Sequence, residues 1–122
     1  MNNDLVAARD KILLQQLVLV DGQPACGKAV LDPVVTSMER VELLQLSVQI
    51  EYLSALKYLG GITGDGVEAL LRLQADLVLY DTMMSRNVNF RVSDQSSVFK
   101  DPKAWVYIKR LFAKGNKLIP ER

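Results

Sequence analysis

Near the N-terminus, a short apolar run leads directly into a loop bracketed by glycines. Residues 17–20 (LVLV) are continuously apolar and rich in valine, and Asp21 closes the run. Such a run is typical of a buried strand in a parallel sheet, although a buried helix end can have the same composition. Residues 22–28 have loop composition, and residues 28–31 can begin a helix. The order of strand, loop and helix predicts an α/β fold.

The rest of the chain is mostly helical in pattern. Apolar residues recur every three or four positions, which predicts helices over residues 4–16, 38–59, 65–86 and 102–114. The Gly60-Gly61 pair is expected to end the second helix, and Asp65 to cap the third. In the fourth, Trp105, Ile108, Leu111 and Phe112 share one side, which we expect to lie in the core. Residues 86–100 are polar and irregular, and are predicted to form a loop or lid.

A second strand is the alternative at residues 77–81 (LVLYD). This run of apolar residues ends in Asp81, as a Walker B strand does, but the surrounding periodicity favours one continuous helix. With a single well-supported strand, we predict a helix-rich α/β domain over residues 1–122, with few parallel strands and an incomplete three-layer sandwich. The alternative is a mainly α fold. Because a strand needs partners, we expect the chain to be the N-terminal fragment of a longer protein, or to borrow a strand from another subunit.

Composition excludes several classes of function. The chain has 122 residues, 49% of them hydrophobic, and a net charge of +1, so neither nucleic acid nor an anionic membrane is an expected partner. Its lone cysteine, Cys26, cannot form an intrachain disulfide, which indicates a cytoplasmic setting. The absence of histidine excludes Ser–His–Asp and Cys–His catalytic sites and argues against zinc.

The loop itself has the spacing of a phosphate-binding motif, Gly22-x-x-x-x-Gly27-Lys28. Glycines allow the backbone to curl so that successive N–H groups converge on phosphate oxygens, and a following helix adds its positive end. Lys28 would place an ammonium group against the terminal phosphate. The predicted phosphate-binding residues of this loop are Gly22, Gln23, Ala25, Cys26, Gly27, Lys28 and Ala29.

Two further features bear on the chemistry. Ala29 occupies the position where a Ser or Thr hydroxyl would ligate Mg²⁺, which argues against a magnesium requirement, and we predict no metal site. Arg86 and Arg91 flank the polar loop, and planar guanidinium groups bind phosphate or sulfate bidentately. We therefore include both as candidate anion contacts, although two solvated arginines would give the same pattern.

The stretch LVLVDGQPACGKAVLDPVV resembles the first strand, phosphate loop and first helix of the kinase and sulfotransferase branches of the P-loop superfamily. The later stretch LQADLVLYDTMMSRNVNFRVSDQSSVFKD is similar to the middle of a little-studied bacterial, sulfotransferase-like P-loop group. The resemblance implies a transferase that moves a sulfuryl or phosphoryl group, with Lys28 as the catalytic residue. Its bound nucleotide would be phosphoadenosine phosphosulfate or ATP.

A different class of function fits the same residues. In this alternative, the chain is a non-catalytic helical interaction module, and residues 22–28 form only a turn. The long helix predicted over residues 38–59 would then bury its apolar stripe against a partner.

Overall fold

A computed structural model describes residues 13–20, 22–23, 25–43 and 48–115. Across these ranges the regular elements are all helices, and no strand is present. The α-helices are α1 (Asp32–Thr36), α2 (Val48–Tyr58), α3 (Gly64–Met83) and α4 (Ala104–Phe112), and two short 3-10 segments span Lys28–Val30 and Val98–Lys100. The predicted α/β fold is therefore wrong, and the mainly α alternative is the one observed.

Two segments bear on this error, the one predicted as a strand and the one for which a strand was the alternative. Residues 14–20 belong to no helix or strand, and Leu17, Val18 and Leu19 are exposed. Residues 77–81 lie inside α3, as the helical periodicity indicated. An apolar run becomes a strand only when another strand pairs with its backbone, and the described part of the chain contains none.

The second and third helices form a hairpin, with α2 packed against α3. Gly60 adopts a left-handed φ of 72°, and the Gly61 N–H donates to the Leu56 carbonyl at 2.9 Å, so the predicted glycine stop is confirmed. The cap of α3 is Thr63 rather than Asp65, since the Thr63 hydroxyl accepts from the Gly66 N–H at 3.2 Å.

The helix predicted over residues 38–59 does not extend over its first six residues. Its described part begins at Val48, and residues 38–43 are not helical. Residues 44–47, and most of the helix predicted over residues 4–16, lie outside the described residues. Residues 13–16, at the end of that prediction, are not helical.

The third helix lies at the centre of the packing. It contributes the buried Val67, Val78 and Thr82, and Val98 and Tyr107 are buried on neighbouring segments. Ser85, directly after α3, donates through its hydroxyl to the Tyr107 carbonyl at 2.8 Å and so ties α3 to α4. This core is small for the length of chain described, which leaves much apolar surface exposed.

The orientation of α4 differs from the prediction. Trp105 and Phe112, expected in the core, are 64% and 83% exposed, whereas Tyr107 on the opposite side is buried. Apolar periodicity identifies an apolar face but not what covers it. Here polar contacts made by Tyr107 and its neighbours fix the inward side of the helix.

Candidate functional site

The glycine-bracketed loop is closed on itself. The Lys28 ammonium group donates to the Gly22 carbonyl at 2.9 Å, and the Cys26 N–H donates to the Gln23 carbonyl at 3.2 Å. A Cβ atom placed on Gly22 would lie 2.6 Å from the Cys26 sulfur, which shows how tightly the two ends approach. The structure thus brings these predicted residues together, but one amide and the ammonium group are already engaged inside the loop.

The surroundings of this loop differ from those of a phosphate loop. Gly27 has a left-handed φ of 82°, and Ala29 lies within the 3-10 segment Lys28–Val30 that follows it. The next helix, α1, has only five residues. A phosphate loop draws on the dipole of a long following helix and on a preceding sheet strand, and neither accompanies the described loop. Phosphate binding by Lys28 and its neighbours stays a prediction.

The two candidate arginines have carboxylate neighbours within their own region of the chain. Arg86 lies 3.7 Å from the Asp81 carboxylate and over the Tyr80 ring, and Arg91 lies 3.9 Å from Asp94. Both guanidinium groups are exposed, so these ion pairs contribute little stability and would not prevent anion binding.

A polar cluster joins α4 to the chain that precedes α2. Arg110 forms a bidentate pair with Glu42, at 2.7 and 2.8 Å, and both side chains are less than 20% exposed. The Tyr107 hydroxyl donates to the same carboxylate at 3.1 Å and accepts from the Leu43 N–H at 2.9 Å. One carboxylate therefore satisfies two side chains of α4, and one hydroxyl holds the neighbouring backbone.

The pKa values of Tyr107 and Arg110 are both raised in this cluster. Burial raises the pKa of the Tyr107 phenol well above its usual range, and the negative charge of Glu42 acts in the same direction. The hydrogen bond to Glu42 raises the pKa of Arg110 further above its already high value. Neither group exchanges a proton at neutral pH, so the cluster is suited to holding two segments together rather than to acid–base catalysis.

Lys103 adds to the contact between α4 and the segment at residues 38–43. Its ammonium group donates to the Met38 carbonyl and, at 2.9 Å, to the Val41 carbonyl. Lys103, Tyr107 and Arg110 are four and three positions apart, so they share one side of the helical turn. This side of α4 contacts residues 38–43, which are not helical.

A buried carboxylate fixes the segment before the loop. Asp76 on α3 is 3% exposed, and its two oxygens accept from the N–H groups of Leu14 at 2.8 Å and Leu13 at 3.1 Å. Two charge-assisted hydrogen bonds thus anchor residues 13–14 to the middle of α3.

An apolar groove runs along the α2–α3 hairpin. It has a volume of about 290 Å³ and is lined by Gln49, Tyr52, Leu53, Leu70, Leu73 and Gln74. Leu77 continues the line along α3, and the leucines at 70, 73 and 77 are 41–48% exposed. The groove is shallow and has few polar groups, so it suits an apolar side chain better than a nucleotide.

No match was found when the chain was compared with protein-family models, with curated proteins and with solved structures. Within the described residues, no three acidic, cysteine or histidine side chains are grouped to hold a metal ion. In the same part of the chain, no helix has the length and apolar character that crossing a membrane requires.

The sequence pattern missed the residues with the strongest contacts. By sequence alone, Glu42 has the pattern of a surface charge on the helix predicted over residues 38–59, and Asp76 and Tyr107 belong to no motif. The long-range partners described above are 62–68 positions away along the chain, so no local spacing marks them.

Proposed function

We propose that this protein is a non-catalytic helical interaction module whose α2–α3 hairpin pairs with the same hairpin of a second copy. The observation that carries the proposal is the half-exposed line of Leu70, Leu73 and Leu77 beside the groove. These positions are three and four apart, so they form one stripe along α3.

The stripe and groove have the form of a helix-packing surface. Tyr52 and Leu53 of α2 stand across the groove from Leu70 and Leu73, which leaves a row of side chains with a gap between two helices. Ridges of one helix pack into such gaps of another. Contiguous apolar surface of this kind marks interaction sites in soluble proteins. A twofold pairing of two hairpins would make a four-helix arrangement that covers the stripe of each.

The size of the surface indicates a transient rather than a permanent pairing. With 20 residues in α3 and 11 in α2, the hairpin face has a footprint of roughly 450 Å² at ~1.5 Å per residue and ~10 Å per helix. Stable interfaces cover about 800 Å² on each partner. We therefore expect a reversible dimer with a dissociation constant on the order of micromolar rather than a permanent one.

Two observations favour this function over group transfer. The Lys28 ammonium group and the Cys26 amide engage partners inside the loop, and the pKa values of both Tyr107 and Arg110 are raised further above neutral pH. The groove is lined by residues of α2 and α3, and residues 22–29 are not among them.

Replacing Leu73 with glutamate is expected to abolish the dimer, because the new carboxylate would be buried against apolar side chains at the centre of the interface. Sedimentation velocity over a concentration series measures the effect. The dissociation constant should rise by at least about a hundredfold, while far-UV circular dichroism stays unchanged.

The matched control for this variant is Leu19→Glu, the same substitution at an exposed leucine away from the hairpin. It should dimerise like the unaltered chain. A monomeric unaltered chain at all concentrations, or equal loss of dimer in both variants, would contradict pairing through the hairpin.

A further inference from the structure

The outward side of α4 is aromatic and basic. Trp105 and Phe112 lie seven positions apart, and Lys109 lies between them at intervals of four and three, so the three share one face of the helix. All three side chains are exposed. This face points away from the side on which Tyr107 and Arg110 hold Glu42.

The lysines of this region differ in what they contact. Lys103 and Arg110 are engaged by carbonyls and by Glu42. Lys100, Lys109 and Lys114 are exposed, and among the described residues their ammonium groups have no hydrogen-bond or ion-pair partner. Lys109 therefore places a positive charge without a carboxylate partner on the same helix face as two exposed aromatic rings.

We propose that this α4 face docks an acidic amphipathic helix of another protein, independently of the hairpin. Apolar side chains of the partner would cover Trp105 and Phe112, and carboxylates at the edge of its apolar stripe would reach Lys109. With nine residues, α4 is ~14 Å long, which matches two to three turns of a partner helix. Tryptophan is among the residues that carry most of the binding energy at protein interfaces, and charges at the rim favour partners of opposite charge.

The amount of charge favours a protein partner over a membrane or nucleic acid. Polybasic sites on anionic membranes use about four to eight Lys or Arg residues, more than the lysines that remain around α4. The whole chain has a net charge of only +1, whereas nucleic-acid binding relies on many phosphate contacts. A short acidic helix needs only one or two lysines.

The only tryptophan of the chain reports directly on this face. The probe is a synthetic amphipathic helix of leucine and glutamate, about 18 residues long so that it forms a helix when bound. On titration, the emission of Trp105 should move to shorter wavelength and saturate. The same peptide with lysine in place of glutamate should leave the emission unchanged.

Two variants test which residues contact the peptide, and both retain Trp105 as the fluorescent probe. Phe112→Ala and Lys109→Glu should each weaken binding of the acidic peptide by roughly tenfold, and Lys57→Glu, at an exposed lysine on α2, should not. Equal shifts with both peptides, no shift with either, or a shift only with anionic phospholipid vesicles or with single-stranded DNA would overturn the proposal.

Discussion

Replacing Glu42 with alanine is expected to lower the free energy of unfolding by about 3 kcal/mol. The carboxylate accepts two hydrogen bonds from Arg110 and one from Tyr107. Without it, a mostly buried guanidinium group has no counter-charge and the phenol loses its acceptor. Loss of one partner of a buried pair costs about 3–5 kcal/mol, and the remaining exposure of both side chains places this pair at the lower end.

Urea unfolding monitored by circular dichroism measures this change. The matched control is Glu39→Ala, which removes an exposed carboxylate from the same segment and should change stability by less than about 0.5 kcal/mol. In the double variant Glu42→Ala/Arg110→Ala, the two losses should be far from additive. Equal stability of the Glu42 and Glu39 variants would show that α4 is held by other contacts.

Replacing Asp76 with alanine is expected to cost about 3 kcal/mol, because two charge-assisted hydrogen bonds to the amides of Leu13 and Leu14 are lost together. The substitution should also destabilise the segment at residues 13–14 locally, in addition to lowering the stability of the whole fold. Amide hydrogen exchange followed by NMR should speed up at Leu13 and Leu14 well before the rest of α3 opens.

The matched control on the same helix is Asp81→Ala. Asp81 contributes an exposed ion pair with Arg86, so its removal should cost less than about 1 kcal/mol and leave the exchange of Leu13 and Leu14 unchanged. Unchanged exchange in the Asp76 variant would mean that residues 13–14 are held by something other than this carboxylate.

The features that the sequence predicted correctly are local. The α2 stop at Gly60 follows from its left-handed conformation, and α3 follows from apolar periodicity over 20 residues. The same periodicity correctly favours a helix over a strand at residues 77–81. Each of these depends on neighbours within a few positions, which is the range that a pattern reports.

The features that it missed are non-local. The run at residues 17–20 has strand composition, but a strand forms only with a partner, and the described chain has none to pair with it. Which face of α4 packs against the protein depends on the contacts of Tyr107 and Arg110 with Glu42, more than 60 positions away. The amphipathic pattern does not contain these contacts, and it wrongly places Trp105 and Phe112 in the core. The glycine spacing of the loop likewise does not reveal that Lys28 donates to Gly22.

One measurement bears most directly on the claim that the chain is an interaction module. The melting temperature is recorded from about 1 μM to about 1 mM protein, with and without ATP or phosphoadenosine phosphosulfate. Pairing through the hairpin predicts a melting temperature that rises by several degrees with protein concentration, is unchanged by either nucleotide, and loses its concentration dependence in Leu73→Glu. A melting temperature that does not change with protein concentration but rises with nucleotide would contradict the proposed interaction module. It would instead support nucleotide binding by the loop at residues 22–29.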